Sequence, residues 1–443
     1  MIISIVAIFV AGYACIALES RLKIDKAAVA LLMSAAVWSV LALSGMADVS
    51  SELMSHLGDT CQTLIFLIGA MTIVGMIDAH GGFWILTGRI ATRRGHRLLW
   101  IIAVMTFFMS AVLDNMTTTI IMIMVMRRLV GSMRERLWFA SVIIIAANCG
   151  GAWSPIGDVT TIMLWTGGNV GAVPLITRLL LPCAVALAIP AAVAMRRIGR
   201  GGGTVVAHIG SSTLPAGVTP ALSRAVLIVG VAGLLFVPVF KSLTGLPPYM
   251  GMMLSLAVLW VMTEIVYARN RGRDSEQPNR VSRVVRTIDM PTILFFLGIL
   301  LAVAGLQSAG VLSSAADFLN RAVHHVFPIA TVVGLMSSII DNVPLVAACM
   351  GMYPIADAAA VASAADPSYA AAFEPDGIFW HLLTYCAGVG GSMLIIGSAA
   401  GVVAMGIEKI SFIWYLKRIS WMALAGYIAG IVVIWLETFI ISI

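Results

Sequence analysis

Apolar segments long enough to cross a lipid bilayer recur along the whole chain of 443 residues. A spanning helix needs about 20 apolar residues, within a range of roughly 17 to 25. Hydrophobic residues make up 60% of the sequence and charged residues only 11%. A soluble domain with so few charges would expose large apolar patches. The composition therefore predicts an all-α polytopic membrane protein, and it excludes a soluble enzyme, a disordered chain and a nucleic-acid-binding protein.

Ten segments are expected to be transmembrane helices. They are residues 1–18, 27–43, 60–79, 137–165, 173–195, 225–240, 248–268, 291–309, 378–406 and 421–441. Two further apolar segments, 98–126 and 328–353, are each interrupted near the middle by an Asp-Asn pair, and their halves are too short to cross. We interpret them as re-entrant hairpins, which enter and leave the membrane on one side. The alternative is a single long helix with a buried Asp.

Basic residues favour the hairpins over the long helices. With ten crossings and two hairpins, 24 of the 27 Lys and Arg residues fall on one side of the membrane. They lie in the loops 19–26, 80–97, 127–136, 196–224, 269–286 and 407–420. Cytoplasmic loops carry an excess of Lys and Arg. This pattern predicts that these six loops are cytoplasmic and that both termini are outside.

The second half of the chain repeats motifs of the first half in the same order. SAVLDNMTTTIIMIM at 110–124 matches SSIIDNVPLVAACMG at 337–351, and ANCGGAWSPIGD at 147–158 matches CAGVGGSMLIIGS at 386–398. The first half starts from outside and the second from inside, so the repeats are predicted to be inverted. Inverted repeats with paired Gly- and Pro-interrupted segments indicate a secondary transporter whose site lies at the membrane midplane.

The domain boundaries follow from this repeat. We expect a first repeat at 1–195, a cytoplasmic linker at 196–224 and a second repeat at 225–443. Each repeat has one hairpin and one broken helix. The hairpins are 98–126 and 328–353, and the broken helices are 137–165 and 378–406.

Three acidic residues, Asp114, Asp158 and Asp341, lie deep in apolar segments without a Lys or Arg nearby in the same segment. A charge at that depth costs several kcal/mol, with estimates from roughly 2.5 upward. We therefore interpret these residues as binding a cation or a proton. The alternative is a protonated Asp that only stabilises the fold.

The neighbours of these acids strengthen the interpretation as a cation site. The run DNMTTT at 114–119 adds one amide and three hydroxyls at a hairpin tip, and hard cations prefer oxygen ligands. A Ser or Thr in a membrane helix often bonds its own backbone. For Thr118 and Thr119 the sequence leaves both possibilities open.

The segment NCGGAWSPIGD at 148–158 is the most specific in the chain. Gly-Gly and Pro do not continue a regular helix cheaply, and unwound backbone at membrane depth is tolerated only where it lines a cavity or is buried in protein. In the second half, Ser398 stands where the first has Asp158. The predicted ion-binding residues are Asp114, Asn115, Thr117, Asn148, Ser154, Asp158, Thr160, Thr161, Ser337, Asp341, Asn342, Ser392 and Ser398. Sodium itself is assigned to Asp114, Asn148, Asp158 and Asp341.

These motifs resemble the NhaD-type sodium/proton antiporters of the ion transporter superfamily. The likeness is carried by LDNMTTTIIMIMVMRRL (113–129), AANCGGAWSPIGDVTTIMLW (146–165), SSIIDNVPLVAACMGMYP (337–354) and GGSMLIIGSAAGVVAMGIEKISFIWYLKRIS (390–420). By motif match, the family's cation site falls on Asp114, Asn115, Asn148, Asp158, Thr160, Thr161, Ser337, Asp341 and Asn342. Leu113 stands where some members have a second acid, which leaves the proton stoichiometry open.

The resemblance implies a bacterial or plastid membrane protein that exchanges sodium or lithium for protons, and for this chain we expect the bacterial inner membrane. It also implies a scaffold domain that forms a homodimer and a transport domain with two hairpins and two broken helices. The expected partners are the lipid bilayer and small inorganic cations, with no nucleic acid and no bound cofactor.

The expected mechanism is competition, in which one site around Asp158 binds either a proton or a sodium ion. An alternative within the superfamily is a cation-coupled carrier of anions such as dicarboxylates or arsenite, because the N-termini of half-helices favour anions. Acids at both hairpin tips would repel an anion. A membrane-embedded enzyme is not expected, since Ser154 has no His nearby and the sequence has no HExxH motif and no paired Cys and His.

Overall fold

The computed structural model describes residues 1–17, 22–46, 48–83, 95–198, 218–269, 281–339 and 341–441. Within these ranges the chain is helical and has no β-strand. The α-helices are α1 (Ile2–Ala17), α2 (Lys26–Leu43), α3 (Val49–Ala79), α4 (Gly95–Ser110), α5 (Asn115–Leu129), α6 (Met133–Ala152), α7 (Val159–Thr166), α8 (Ala172–Arg197), α9 (Pro220–Thr244), α10 (Pro248–Arg269), α11 (Val281–Val284), α12 (Met290–Ser308), α13 (Val311–Ala322), α14 (Val326–Ser337), α15 (Asn342–Met352), α16 (Ala358–Ser363), α17 (Pro367–Ala371), α18 (Ile378–Gly390), α19 (Ala399–Glu408), α20 (Phe412–Arg418) and α21 (Ser420–Ile441).

Seven of the described helices are long and apolar enough to cross a membrane. They are α2, α3, α8, α9, α10, α12 and α21. The prediction of an all-α, multi-pass membrane protein is therefore confirmed. Three of the ten expected crossings are not single long helices: α1 has only 16 residues, and the segments 137–165 and 378–406 are each two helices, α6 with α7 and α18 with α19.

Both segments that the sequence interrupts with Asp-Asn are two helices. Asp114 precedes α5, and its side chain accepts a hydrogen bond from the backbone amide of Thr117 at 2.8 Å. Asp341 precedes α15 and accepts in the same way from the backbone amide of Val343 at 3.5 Å. Capping satisfies backbone donors that the first turn of a helix leaves free. The alternative of one continuous helix through a buried Asp is therefore excluded.

The helices pack in two groups. In the first, α2 packs on α12, and α3 packs on α10 and α12. Gly298 of α12 lies so close to α2 that a Cβ there would be 2.6 Å from the carbonyl carbon of Ala30, and Trp38 donates to the carbonyl of Leu301 at 2.8 Å.

In the second group, α6 lies at the centre and contacts α4, α5, α8, α18 and α19. Through α18, which contacts α14 and α7, this group also brings both Asp-Asn breaks and both broken helices together. The predicted boundaries of the repeats stay a prediction, and residues 199–217 of the predicted linker lie outside the described residues.

Candidate functional site

Asp158 lies at the break between α6 and α7 and is only 4% exposed. It precedes α7, and one oxygen of its carboxylate, Oδ1, accepts from the backbone amide of Thr160 at 3.5 Å. Thr161 holds the turn, because its hydroxyl accepts from the backbone amide of Asp158 at 3.2 Å and donates to the carbonyl of Asp158 at 2.8 Å. Gly157 and Pro155, which precede this turn, keep α6 from running on into α7.

Two asparagines from distant parts of the chain donate to the second oxygen of the same carboxylate. Asn115 lies 3.1 Å from Oδ2 of Asp158, and Asn342 lies 3.0 Å from it, measured from their side-chain nitrogens. Each asparagine is the first residue of a helix that starts at an Asp-Asn break. The two breaks therefore meet at Asp158.

Asn148 of α6 extends this cluster to the second broken helix. Its Oδ1 accepts from Asn115 at 3.3 Å, and its Nδ2 donates to the hydroxyl of Ser398 at 2.9 Å. Ser398 precedes α19 with φ −145° and ψ 154°, the same values that Asp158 has before α7. We call these five connected residues the amide cluster: Asn115, Asn148, Asp158, Asn342 and Ser398. All five are buried.

The charge of Asp158 is balanced by dipoles rather than by a basic side chain. In the described ranges the ion pairs are Arg127 with Glu408, Arg136 with Glu408, and His324 with Asp366. The positive end of α7 and two amide groups face the carboxylate instead. A buried carboxylate held in this way is suited to take up a proton or a single positive ion. The same ranges contain no group of three His, Cys, Asp or Glu residues able to hold a metal ion.

Two of the predicted ligands are engaged at the first Asp-Asn break. Thr117 donates its hydroxyl to Oδ2 of Asp114 at 2.5 Å, and its backbone amide binds Oδ1 of the same residue. Asp114 and Asp341 are both half-buried caps of their helices. Their role as sodium ligands stays a prediction.

Three predicted serine ligands donate their hydroxyls to backbone carbonyls. Ser154 donates to Ala111 at 2.5 Å and ties the broken helix to the first break, while Ser337 donates to Ala387 at 2.7 Å. Ser392, just after the end of α18, donates to Val389 in the last turn of that helix at 2.7 Å. These bonds hold the breaks together, and each of the three hydroxyls spends its proton on a backbone carbonyl. Their assignment as ligands stays a prediction.

Sequence reasoning missed Glu408, a fully buried carboxylate at the end of α19. Arg127 at the end of α5 donates to it at 2.5 Å and also donates to the carbonyl of Ile407. Arg136 of α6 lies 3.7 Å from its other oxygen. The available signal was the acidic residue in GIEK at the end of an apolar run, beside a basic loop.

A cavity of about 440 Å³ lies between the two groups of helices. Thr63 of α3 and Val303 of α12 line one wall, and Met163 and Thr166 of α7 line the other. Asp59 and Asn169 add polar groups to its surface. The cavity therefore borders the half-helix that Asp158 caps.

Apolar helices that break beside a buried carboxylate without a basic partner are the features of a secondary membrane transporter. A family model described as CitMHS, citrate transporter, matches residues 13–373. Sodium/proton antiporter 1 of Arabidopsis thaliana is 42% identical over 437 residues, which cover 97% of this chain and 71% of that protein. Sodium/proton antiporter 2 of the same plant is 42% identical over 434 residues, which cover 96% and 97%.

The Na(+)/H(+) antiporter NhaD of Vibrio cholerae is 30% identical over 456 residues, which cover 96% of this chain and 89% of that protein. The chain belongs to the family of NhaD-type transporters. The resemblance seen in the sequence motifs is confirmed.

Proposed function

We propose that this protein exchanges sodium for protons across a membrane and that the two ions compete for Asp158. The names of the relatives support sodium/proton exchange. The observation that carries the mechanism is the buried carboxylate of Asp158, which receives two amide groups and has no basic partner among the described residues. Because the donors are neutral amides, the negative charge of Asp158 is left for a mobile ion to neutralise.

Competition couples the two fluxes without any further device. With a proton or a sodium ion bound, the carboxylate is neutralised, so the loaded site can change its access from one side to the other. The empty site carries a net negative charge, which is costly in an apolar environment. Only loaded forms therefore change access, and each sodium ion that moves one way is matched by protons that move the other way.

The amide cluster is suited to serve both ions. An amide offers two N–H donors on one side and a carbonyl oxygen on the other. Asn115 and Asn342 donate N–H groups to the carboxylate of Asp158. Rotated by half a turn, the same side chains present oxygen to a sodium ion. Asn148, already bonded to Asn115 and Ser398, adds a further oxygen.

We propose that the two halves of the chain are inverted repeats, with ten crossings, two re-entrant hairpins and both termini outside. Matched contacts support the repeat. Ser110 donates to the carbonyl of Ala147 at 2.6 Å, and Ser337 donates to the carbonyl of Ala387 at 2.7 Å. Together with the equal backbone angles of Asp158 and Ser398, they give both broken helices the same local geometry.

We further propose that the cavity beside α7 is an access route for ions from outside. It lies between the helix group that contains α3 and α12, the proposed scaffold, and the group that contains α7, the proposed transport domain. Movement of one group against the other would open and close this route. A homodimer formed through the scaffold, a location in the bacterial inner membrane, and lithium as a second substrate belong to the same proposal.

The description of the family model, which names citrate, raises the alternative of an anion carrier. The site does not favour it. A citrate or dicarboxylate ion would meet the carboxylate of Asp158, with Asp114 and Asp341 at the neighbouring helix starts. Among the described residues, no Lys or Arg pairs with these acids. Saturable binding of citrate or succinate by the purified protein would revive this alternative.

Proton flux in reconstituted vesicles tests the proposal. An imposed sodium gradient should drive protons in the opposite direction, recorded by a pH-sensitive dye inside the vesicles. Asp158→Asn keeps the shape of the side chain and removes its charge, so this variant should lose the flux. Asp317→Asn, at an exposed position of α13, is the matched control and should keep it. Sodium-driven proton flux that persists in Asp158→Asn with unchanged sodium affinity would remove Asp158 from this role.

A further inference from the structure

Three threonine hydroxyls in the described part of the chain are closed off from solvent and have no hydrogen-bond partner: those of Thr118, Thr119 and Thr160. All three residues are fully buried. A buried hydroxyl without a partner carries a desolvation cost that nothing offsets. Such a group in a native structure calls for an explanation, and a ligand or ion that uses it is one.

The other membrane threonines show what is unusual about these three. A threonine in a helix normally donates to the backbone carbonyl four residues earlier. Thr72, Thr106 and Thr384 do so at 2.6 Å each. Thr118 and Thr119 are buried as deeply, yet they do not make this bond. The three exceptions all lie within the first five residues of α5 or α7, the helices that start beside the amide cluster.

Thr118 and Thr119 lie on the same face of α5 as Asn115. They follow it by three and four residues, which is the spacing of neighbours on one helix face. Side chains of a helix lean toward its N-terminus, so both hydroxyls lean toward Asn115 and the carboxylate that it binds. Thr160 is two residues from Asp158, whose Oδ1 already accepts from its backbone amide. The unused hydroxyls thus come from α5 and α7, the two helices that start at Asp114 and Asp158.

The third threonine of the run has a different task. Thr117 gives its hydroxyl to Asp114 and serves the cap of α5. The sequence singled out Thr117 as the ligand of this run and left Thr118 and Thr119 open. The contacts indicate the opposite assignment: Thr117 caps the helix, and Thr118 and Thr119 have hydroxyls free to bind an ion.

We propose that Thr118 and Thr119 are cation-binding residues whose hydroxyl oxygens, with that of Thr160, complete the oxygen shell of a sodium ion at Asp158. The inference rests on the proposed function. A proton on Asp158 bonds to one oxygen, whereas a sodium ion needs several oxygen ligands around it. These hydroxyls therefore strengthen the binding of sodium and leave the binding of the proton unchanged.

The experiment measures sodium affinity across pH with the purified full-length protein. At alkaline pH, where no proton competes, the dissociation constant of sodium reaches a limit. Thr118→Val and Thr119→Val should each raise this limit about two- to tenfold, the range that one neutral polar contact contributes. The pH at which protons begin to compete should stay at its value in the unchanged protein. Thr118→Ser and Thr119→Ser keep the hydroxyl and should restore sodium affinity.

Thermal unfolding in the absence of sodium supplies the second readout. Neither hydroxyl has a bond to lose, so the Val variants should unfold at the same temperature as the unchanged protein or higher. Thr106→Val is the matched control, because Thr106 is also fully buried but bonds the carbonyl of Ile102. It should lower the unfolding temperature and leave sodium affinity unchanged.

Two results would overturn the inference. The first is that both Val variants bind sodium at alkaline pH as tightly as the unchanged protein does. The hydroxyls would then only bind water or fill space. The other is a loss of thermal stability as large as that of Thr106→Val. Either result leaves the proposed function standing, since that proposal depends on the loss of sodium-driven proton flux in Asp158→Asn.

Discussion

Asn342 donates its side-chain amide to Oδ2 of Asp158 at 3.0 Å, across 184 positions of sequence. The bond joins the start of α15 in the second half of the chain to the break between α6 and α7 in the first half. Asn115 donates to the same oxygen from α5. A single carboxylate thus links both halves of the molecule. An ion that binds to it would therefore act on contacts made by both halves.

Loss of either asparagine should weaken sodium binding. Asn115→Leu and Asn342→Leu keep the size of the side chain and remove its amide, so we expect each to reduce sodium affinity by about tenfold or more, the range for a polar contact with a charged group. The double variant should lose less than the product of the two effects, because both amides act on one oxygen. Isothermal titration with sodium measures these changes.

The matched control for the asparagine variants is Asn320→Leu. Asn320 accepts from the hydroxyl of Tyr369 at 2.6 Å, away from the amide cluster. Its replacement should leave sodium affinity unchanged. If Asn342→Leu binds sodium as tightly as the unchanged protein does, the bond from Asn342 to Asp158 serves packing alone.

Gly150 and Gly390 should not tolerate a side chain. A Cβ at Gly150 would collide with the carbonyl oxygen of Phe107, and a Cβ at Gly390 with that of Gly334. Gly150→Ala and Gly390→Ala should therefore destabilise the protein by about 1–3 kcal/mol or more, as overpacking does. Gly406→Ala is the control, because nothing lies within 4 Å of a Cβ there. Equal unfolding temperatures for all three variants in detergent would contradict this close packing.

The ion pair of Glu408 and Arg127 should respond unequally to loss of its two partners. Glu408 is fully buried, whereas the side chain of Arg127 is 39% exposed. Arg127→Gln leaves the buried carboxylate of Glu408 with only the more distant Arg136. The loss in free energy of unfolding should therefore approach the lower end of the ~3–5 kcal/mol seen for broken buried pairs. Glu408→Gln should cost less, because the guanidinium can be hydrated.

Thermal unfolding of the purified variants measures this difference, with Arg134→Gln as the control at an exposed position. The control should unfold at the temperature of the unchanged protein. Equal losses for Arg127→Gln and Glu408→Gln would contradict the asymmetry and indicate that both partners are equally hydrated.

The sequence located the helix breaks well, because their causes are local. Asp114 and Asp341 cap the helices that follow them, and Pro155 and Gly157 lie in the break between α6 and Asp158, although α6 itself runs on through Gly150-Gly151. Residue types alone also selected Asn115, Asn148, Asp158, Asn342 and Ser398, which the structure brings into one cluster.

Other features depend on packing between distant segments and were not predictable. Nothing in the sequence around Thr117 shows that it serves the cap, while Thr118 and Thr119 stay unpaired. Glu408 binds Arg127 across 281 positions, and sequence spacing carries no information about such a contact. The three-dimensional arrangement of helices decides which of several plausible polar groups meet.

The most direct measurement of the central claim is proton release when sodium is added to the purified protein in weakly buffered solution, repeated across pH. Competition at Asp158 predicts that sodium displaces protons at pH values where the carboxylate is protonated. The release should fade at alkaline pH, where no proton is left to displace, and it should be absent at every pH in Asp158→Asn. Sodium binding without proton release at any pH, or a release that Asp158→Asn leaves unchanged, would contradict the account.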